Sequence, residues 1–231
     1  MSNQKIQMLT SIIIAVSFLL IIIYIRKRER DFIFSALTWR RDIESWIGYG
    51  EFEYNRVHNA YAITKSEPGF INSKCLNWSS YRINFDFKIA SEKLGIIVRA
   101  VNLSNYVMIQ VNPLGIRPHI RVNGGWKVWE VEETGLKIEK PLSLDKWYKA
   151  QIACDKNEIS IRLYNGKKCV FDRVWEIPRG NAVFNFKKDE KDKTDKEIDI
   201  PFPINLEYGS AGFRNCENEK AFVRNMLIQK I

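Results

Sequence analysis

Alternating apolar and polar residues predict that most of this chain folds as an all-β, antiparallel two-sheet sandwich. In Tyr81–Ala90 the apolar residues Ile83, Phe85, Phe87 and Ile89 occupy every second position. Successive side chains of a strand point to opposite faces, so this segment has one buried and one solvated face. Three further segments repeat the pattern: Leu94–Val101, Tyr106–Asn112 and Ile116–Val122.

Turn residues separate these segments from other short strands. Asn123-Gly124-Gly125 is a strong hairpin turn, and Pro118 predicts that its own strand is an edge or irregular strand, since proline cannot donate to the ladder. The mixed charge run Lys187–Lys196 is typical of a solvated loop. The other predicted strands are Ala60–Thr64, Gly69–Ser73, Trp126–Glu132, Tyr148–Cys154, Glu158–Tyr164, Cys169–Asp172, Gly209–Arg214 and Ala221–Gln229.

The N-terminal segment predicts a single transmembrane helix. Ile6–Ile25 contains no charged residue, and its twenty residues would span about 30 Å as a helix, the thickness of a bilayer core. A signal peptide would need a shorter apolar core and a small-residue cleavage site, but Tyr24 and Ile25 are bulky. The predicted domains are therefore an anchor with a basic flank over residues 1–30, a juxtamembrane connector over 31–54, and a sandwich over 55–231.

The side of the membrane on which the sandwich lies stays open. The cluster Arg26, Lys27, Arg28 and Arg30 follows the helix, which favours the cytoplasm, although long domains cross membranes regardless of flanking charge. Residues 31–50 mix apolar and charged residues, and they fit either an interfacial helix or a connector that packs against the sheet.

Composition excludes several function classes. The net charge is +9, but the basic clusters lie beside the predicted membrane segment and no nucleic-acid-binding fingerprint accompanies them, so no nucleic-acid partner is expected. Four cysteines without a CxxC pair exclude the usual zinc-ribbon and thioredoxin spacings, and free buried thiols are favoured over disulfides. With two histidines in the chain, no histidine-rich metal site is expected.

The order of motifs resembles a known fold family. The long alternating strand is followed by Gly95–Ala100, then Trp147-Tyr148 opens a hairpin, and Gly212-Phe213-Arg214 precedes the closing strand. This order resembles the concanavalin A-like lectin and glucanase jelly rolls, especially laminin-G-like domains and the three-keto-disaccharide hydrolase group. The resemblance implies a jelly roll that binds or cleaves glycans on its concave sheet, with calcium as a cofactor in some members; the residues themselves predict no cofactor.

The polar face of the central strands supplies the candidate ligand-binding residues. Aromatic rings offer apolar contact surface, and Arg, Gln and Asn supply directional hydrogen bonds, which is the combination that a sugar needs. An ordinary polar sheet surface explains the same pattern, because one face of an antiparallel sheet is commonly solvated. The candidates are Arg99, Tyr106, Gln110, Asn112, Arg117, His119, Arg121 and Trp126.

No catalytic residue is predicted. Glu197-Ile198-Asp199-Ile200 is similar to the catalytic string of laminarinase-type glycosidases, but Pro201-Phe202 follow and the second glutamate is missing. The leading hypothesis is a membrane-anchored, lectin-like module that binds a glycan or a protein on its concave sheet without catalysis. One alternative is a glycoside hydrolase of the three-keto-disaccharide type, using Asp86, Glu130 or Glu132. The other is a structural protein-docking component of a membrane assembly.

Overall fold

The computed structural model describes residues 12–22, 33–37, 40–128, 137–177, 180–186, 196–202 and 206–231. These residues form seventeen strands in two antiparallel sheets, together with two short 3-10 helices. The prediction of an antiparallel two-sheet sandwich is therefore confirmed.

The strands follow the alternating segments of the sequence closely. Their bounds are β1 Ile33–Leu37, β2 Trp46–Gly48, β3 Glu51–Asn55, β4 Ala60–Thr64, β5 Phe70–Asn72, β6 Tyr81–Ser91, β7 Leu94–Asn102, β8 Asn105–Val111, β9 Ile116–Val122, β10 Gly125–Val128, β11 Tyr148–Asp155, β12 Glu158–Asn165, β13 Lys168–Glu176, β14 Gly180–Phe186, β15 Lys196–Phe202, β16 Ser210–Arg214 and β17 Lys220–Lys230. The 3-10 helices are Arg40–Ser45 and Ser73–Cys75.

Each sheet combines strands that are distant in sequence. The eight-stranded sheet has the order β13-β12-β11-β6-β17-β4-β3, and β1 also pairs with β17. The nine-stranded sheet has the order β15-β14-β10-β9-β8-β7-β16-β5-β2. The consecutive hairpins of β7 to β10 form the middle of this second sheet, so their outward side chains lie side by side on one surface.

The inward faces of the two sheets form one hydrophobic core. Phe85 of β6 meets Phe213 of β16 edge to face, with ring centroids 5.4 Å apart, and both side chains are buried. Trp46 stacks on Phe213 at 6.0 Å and contacts Phe70 at 5.3 Å. Burying a large aromatic side chain contributes roughly 1.5–3 kcal/mol relative to leaving it exposed, so this aromatic group fixes how the sheets pack.

Three strands lie in the segment that the sequence assigned to a connector. β1 pairs with β17, β2 pairs with β5, and β3 pairs with β4. This pairing fits the connector that packs against the sheet, and not an interfacial helix. Short strands such as β2 are missed by a period-2 pattern because three residues contain too few alternations.

Two further expectations change. Glu197–Ile200 lies within β15, where the sequence pattern predicted no strand, while residues 187–195 of the charge run lie outside the described residues. β9 is not an edge strand, because it lies between β8 and β10. The described β9–β10 pairs run from Val122 to His119, so Pro118 lies just beyond them and its missing donor interrupts none of these pairs.

The N-terminal residues 12–22 are helical, and their side chains are exposed. Among the described residues, no helix is long and apolar enough to cross a membrane. The rest of the predicted span Ile6–Ile25 lies outside the described residues, so the transmembrane helix stays a prediction.

The four cysteines are free in the structure. Cys75 and Cys154 are buried, as expected for structural thiols, and burial raises the pKa of the Cys154 thiol to about 11. Cys169 is exposed and Cys216 is half-buried, so the expectation of four buried thiols is wrong for these two residues.

Arg99 is the largest departure from the alternating pattern. Its backbone has a φ of 56°, and the β7–β8 register shifts between Val98 and Asn102. This irregularity moves Ala100 to the outer apolar cluster and turns Arg99 inward, where its side chain is 0% exposed. The prediction that Arg99 lies on the solvated face is therefore wrong.

The Arg99 guanidinium instead ties three loops together. It donates to the backbone carbonyls of Ser79 and Glu207, and to that of Lys156 at 2.5 Å. Its backbone N–H donates to the Tyr81 hydroxyl at 2.8 Å. Ser79 and Lys156 flank strands of the eight-stranded sheet and Glu207 precedes a strand of the other, so Arg99 joins the two sheets at one end of the sandwich.

We expect the variant Arg99→Met to lower the free energy of unfolding by about 3 kcal/mol or more. A hydrogen bond to a charged group contributes roughly 1.5–3 kcal/mol, and the buried Arg99 guanidinium donates three such bonds to backbone carbonyls. Denaturant unfolding followed by circular dichroism measures the change. Arg82→Met, at an exposed position of β6, is the matched control and should stay within about 0.5 kcal/mol of the parent. Equal effects of the two variants would contradict the structural role of Arg99.

Candidate functional site on the nine-stranded sheet

The register of three adjacent strands brings most of the candidate residues onto one surface. Across the β8–β9 pair, Tyr106 lies opposite Arg121, Met108 opposite His119, and Gln110 opposite Arg117. Directly opposed residues of an antiparallel pair share a face. β10 extends the row, because Trp126 lies opposite Arg121. We call this surface, which lies over the buried Tyr106 ring, the Trp126 face; it consists of Gln110, Arg117, His119, Arg121, Trp126 and Arg214.

Trp126 is the centre of this surface. Its half-buried ring lies edge to face with Tyr106 at 5.6 Å and with His119 at 6.4 Å. Two guanidinium groups lie over the same ring, Arg121 at 5.0 Å and Arg214 at 4.7 Å from its centroid. Cation–π contacts of this kind contribute roughly 0.5–2 kcal/mol each, so Trp126 holds both cations in fixed positions.

Arg214 comes from a distant strand and was missed by the sequence-based prediction. It lies on β16, with β7, β8 and β9 between it and the Trp126 strand. Its backbone pairs with Gly95, where a Cβ atom would stand 2.2 Å from the Arg214 carbonyl oxygen and 3.0 Å from the Met108 sulfur. Glycine at position 95 therefore lets β16 approach and leaves space beside the Met108 sulfur. The sequence signal for this residue was the Gly212-Phe213-Arg214 motif, which marks a strand but not a site.

The hydrogen bonds around Trp126 leave two guanidinium nitrogens without a partner. The Tyr106 hydroxyl donates to the Pro68 carbonyl at 2.6 Å and accepts from an Arg121 nitrogen at 3.3 Å. Arg214 forms an ion pair with Glu67 at 2.6 Å. The Nε atoms of Arg121 and Arg214 are buried and have no hydrogen-bond partner among the described residues. Buried polar atoms are normally paired, and the Nε atoms of Arg99 and Arg224, which lie away from this surface, are unpaired in the same way, so unpaired Nε atoms alone do not mark a site.

Tyr106 lies beneath this surface and is not part of its exposed layer. Its side chain is 0% exposed, and burial raises the pKa of its hydroxyl, while the nearby Arg121 charge acts in the opposite direction. The hydroxyl is therefore neutral and acts as a hydrogen-bonding support for Arg121.

His119 is neutral at physiological pH. The pKa of its imidazole is lowered to about 4, mainly by burial and also by the positive charges of Arg117, Arg214 and Lys93, while a hydrogen bond to the Arg117 carbonyl acts in the opposite direction. In that bond, 3.1 Å long, Nδ1 donates because the carbonyl can only accept. The other ring nitrogen is then an acceptor for a ligand donor.

A cleft continues the Trp126 face at the far end of β8 and β9. It has a volume of about 300 Å³ and is lined by Gln110, Asn112, Leu114, Gly115, Ile116, Arg117 and Lys137. Asn112 borders this cleft, but its side-chain oxygen accepts from the backbone N–H groups of Leu114 and Gly115 at 2.8 and 2.9 Å. Its first role is thus to stabilise the turn. Gln110 and the exposed residues Arg117 and Lys137 remain the polar groups that line the cleft.

Of the three carboxylates of the hydrolase alternative, the structure describes Asp86, which does not lie on this face. Asp86 lies on β6 of the other sheet, where it accepts from Asn225 at 2.9 Å and pairs with Arg224 at 3.6 Å. Glu130 and Glu132 lie outside the described residues. Among the residues that the structure describes, no group of three or more His, Cys, Asp or Glu side chains is arranged to hold a metal ion.

Comparison with known proteins supports the fold. No protein-family model and no curated protein matches the sequence. Among solved structures, the chain is similar to the carbohydrate-binding module CBM66 from Bacillus subtilis, with 12% identity, coverage of 80% of this chain and 95% of that chain, and a TM-score of 0.51. It is also similar to a Bacillus subtilis protein of unknown function with a galectin-like fold, with 11% identity, coverage of 85% and 94%, and a TM-score of 0.50.

These likenesses identify the class of fold. Identities of 11–12% show a shared fold and carry no ligand from one protein to the other. The chain has a jelly-roll β-sandwich fold of the kind found in these two structures. The narrower resemblance to laminin-G-like domains and to the three-keto-disaccharide hydrolase group stays a prediction.

The lowered pKa of His119 predicts that the stability of the folded protein depends on pH. Between about pH 6.5 and about pH 4 the unfolded chain binds a proton at His119 that the folded protein does not bind, so stability falls as the pH falls through this window. We expect His119→Gln to lose less stability than the parent across the same range, measured by denaturant unfolding at several pH values. NMR titration of the His119 ring supplies the direct check. An inflection above about pH 6 would contradict the lowered pKa.

Proposed function

We propose that this protein is a lectin-like module that binds a glycan on the Trp126 face. The observation that carries the proposal is the half-buried Trp126 ring with two guanidinium groups over it, beside the row of Arg121, His119 and Arg117 on β9. A small-molecule site typically combines apolar aromatic surface with a few fixed polar groups. A sugar offers hydroxyl groups for the polar set and C–H faces for the aromatic one.

The arrangement of polar groups supports a ligand that is elongated along β9. Arg121, His119 and Arg117 occupy every second position of one strand, so their spacing is about 7 Å per step. Gln110 and the cleft of about 300 Å³ prolong this row past Trp126. A linear oligosaccharide can contact such a row with successive sugar units.

The fold adds support of a weaker kind. One of the structures with a similar fold is described as a carbohydrate-binding module, and the other as having a galectin-like fold. A sandwich of this class is thus compatible with carbohydrate binding. The protein-docking alternative stays a prediction, because tryptophan and arginine, which the Trp126 face combines, are also enriched in protein interfaces.

We expect Trp126→Ala to remove glycan binding, because it releases both guanidinium groups from their positions over the ring. Glycan-array screening of the full chain, followed by calorimetry with the best ligand, measures the loss. Trp147→Ala is the matched control, because Trp147 also lies under a guanidinium, that of Arg224 at 3.9 Å, but on the eight-stranded sheet. Circular dichroism of both variants checks folding. Absence of binding to every glycan, or binding that Trp126→Ala leaves unchanged, would contradict the proposal.

We further propose that the N-terminal segment anchors this module in a membrane. The support is the uncharged run Ile6–Ile25, of which residues 12–22 are helical with exposed apolar side chains, and the basic cluster that follows it. Exposed Ile and Leu side chains on every side of a helix favour a lipid environment over water.

We expect the double variant Ile14→Lys with Leu19→Lys to shift the chain from the membrane fraction to the soluble fraction. Each lysine near a helix centre costs roughly 2.5–3.5 kcal/mol of insertion free energy. Alkaline carbonate extraction of membranes measures the shift, and Val57→Lys with Val174→Lys, at two exposed positions of the sandwich, is the control. A parent chain that carbonate extracts completely would refute the anchor. Protease protection in intact cells then determines the side of the sandwich.

A further inference from the structure

We infer that the ligand of the Trp126 face is acidic, a glycan with carboxylate or sulfate groups that Arg121 and Arg117 bind. This inference rests on the function proposed above and adds the chemical class of the ligand. The inference follows from the positively charged residues of the Trp126 face, because some of them have a carboxylate partner and others have none.

Some cations near Trp126 have carboxylate partners and others have none. Arg214 pairs with Glu67 at 2.6 Å, and Lys93 pairs with Glu219 at 3.1 Å. Arg117 and Arg121 make no ion pair with any carboxylate among the described residues. The polar partner of Arg121 is the Tyr106 hydroxyl, which carries no charge to neutralise the guanidinium.

The position of Arg121 makes its missing counter-charge significant. Its Nε is buried and unpaired, and its guanidinium lies between the Tyr106 and Trp126 rings, at 5.7 and 5.0 Å from their centroids. A charge that is partly removed from water is costly unless it is paired, and aromatic rings compensate for only part of that cost. The nearby charges of Arg117, Arg214 and Lys93 also contribute to the lowered pKa of His119, which is a sign of local positive potential. An anionic ligand would supply the missing charge.

Arginine also suits this ligand better than lysine would. The guanidinium is a planar fork that binds a carboxylate or a sulfate through two parallel hydrogen bonds. Arg117 and Arg121 are four residues apart on β9, so their backbones are separated by about 13 Å along the strand. Two guanidinium groups spaced along one strand fit a glycan chain with repeated acid groups better than they fit a single anion.

The test compares matched acidic and neutral polysaccharides on the full chain, in detergent if it proves to be membrane-bound. The probes are polygalacturonate for carboxylate, dextran sulfate for sulfate, and galactan and dextran as the neutral partners. We expect at least one acidic probe to bind more tightly than its neutral partner. We expect Arg121→Gln to weaken that binding about tenfold or more, since a charge-assisted hydrogen bond contributes at least one such factor.

The net charge of +9 requires a control for unspecific attraction of polyanions. Arg82→Gln with Lys149→Gln removes two exposed positive charges from the eight-stranded sheet, and its effect should be well below that of the single Arg121→Gln change. Arg121→Lys, which keeps the charge and loses the fork, should bind with intermediate affinity and confirms that the site is folded.

The possible outcomes distinguish the acidic ligand from the glycan-binding function itself. Equal binding of acidic and neutral probes that Trp126→Ala removes would overturn the acidic ligand and leave the glycan function standing. If Arg82→Gln with Lys149→Gln weakens acidic binding as much as Arg121→Gln does, the acidic ligand of the Trp126 face is also overturned, because the probe then binds unspecifically or in the cleft that Arg82 and Lys149 line on the eight-stranded sheet. Absence of binding to all four probes and to every arrayed glycan would overturn the glycan function itself.

Discussion

The Trp126 face exists because the two sheets pack through a single aromatic core beneath it. Phe85, Phe213 and Phe70 are buried between the sheets, and Trp46 covers their edge. This core keeps β16 beside β7, and β16 carries both Phe213 inward and Arg214 outward. Cores are packed as densely as organic crystals, so a small shift of Phe213 would be transmitted directly to the adjacent Arg214. The position of Arg214 on the Trp126 face therefore depends on how the core packs between the two sheets.

Electrostatics explains why this site is different from an ordinary solvated sheet face. On the eight-stranded sheet, Arg162 pairs with Asp172 and Arg224 pairs with Asp86, so each of these arginines has its own counter-charge. On the Trp126 face the aromatic ring takes the place of the carboxylate for Arg121. Such an arrangement stabilises the geometry of a cation without neutralising it, which leaves its charge available to a ligand.

Much of this architecture could be predicted from the period-2 pattern, and its failures have local physical causes. The pattern placed Gln110, Arg117, His119, Arg121 and Trp126 on one face because β8, β9 and β10 are regular hairpin strands. It failed at Arg99, where a positive φ and a register shift reverse the alternation. A single sequence gives no sign of such a bulge unless glycine marks it.

Other parts of the site depend on contacts that no local pattern encodes. Arg214 reaches Trp126 from a strand about ninety positions later in the chain, and the space for it depends on Gly95 in yet another strand. Asn112, in contrast, was predicted to bind a ligand, but its side-chain oxygen already accepts a hydrogen bond within a turn. Local periodicity thus predicts which face a residue lies on, whereas the tertiary fold decides whether its polar atoms are free.

NMR of the labelled full chain is the most direct test of whether a glycan occupies the Trp126 face. The array-selected glycan is added while the side-chain N–H signals of the tryptophans and glutamines are followed. If a glycan occupies this face, the signals of Trp126 and Gln110 shift as the ligand saturates the protein, while those of Trp147 and Gln151 on the eight-stranded sheet stay in place. Shifts confined to Trp147 and Gln151, with Trp126 unchanged at saturation, would contradict glycan binding at the Trp126 face.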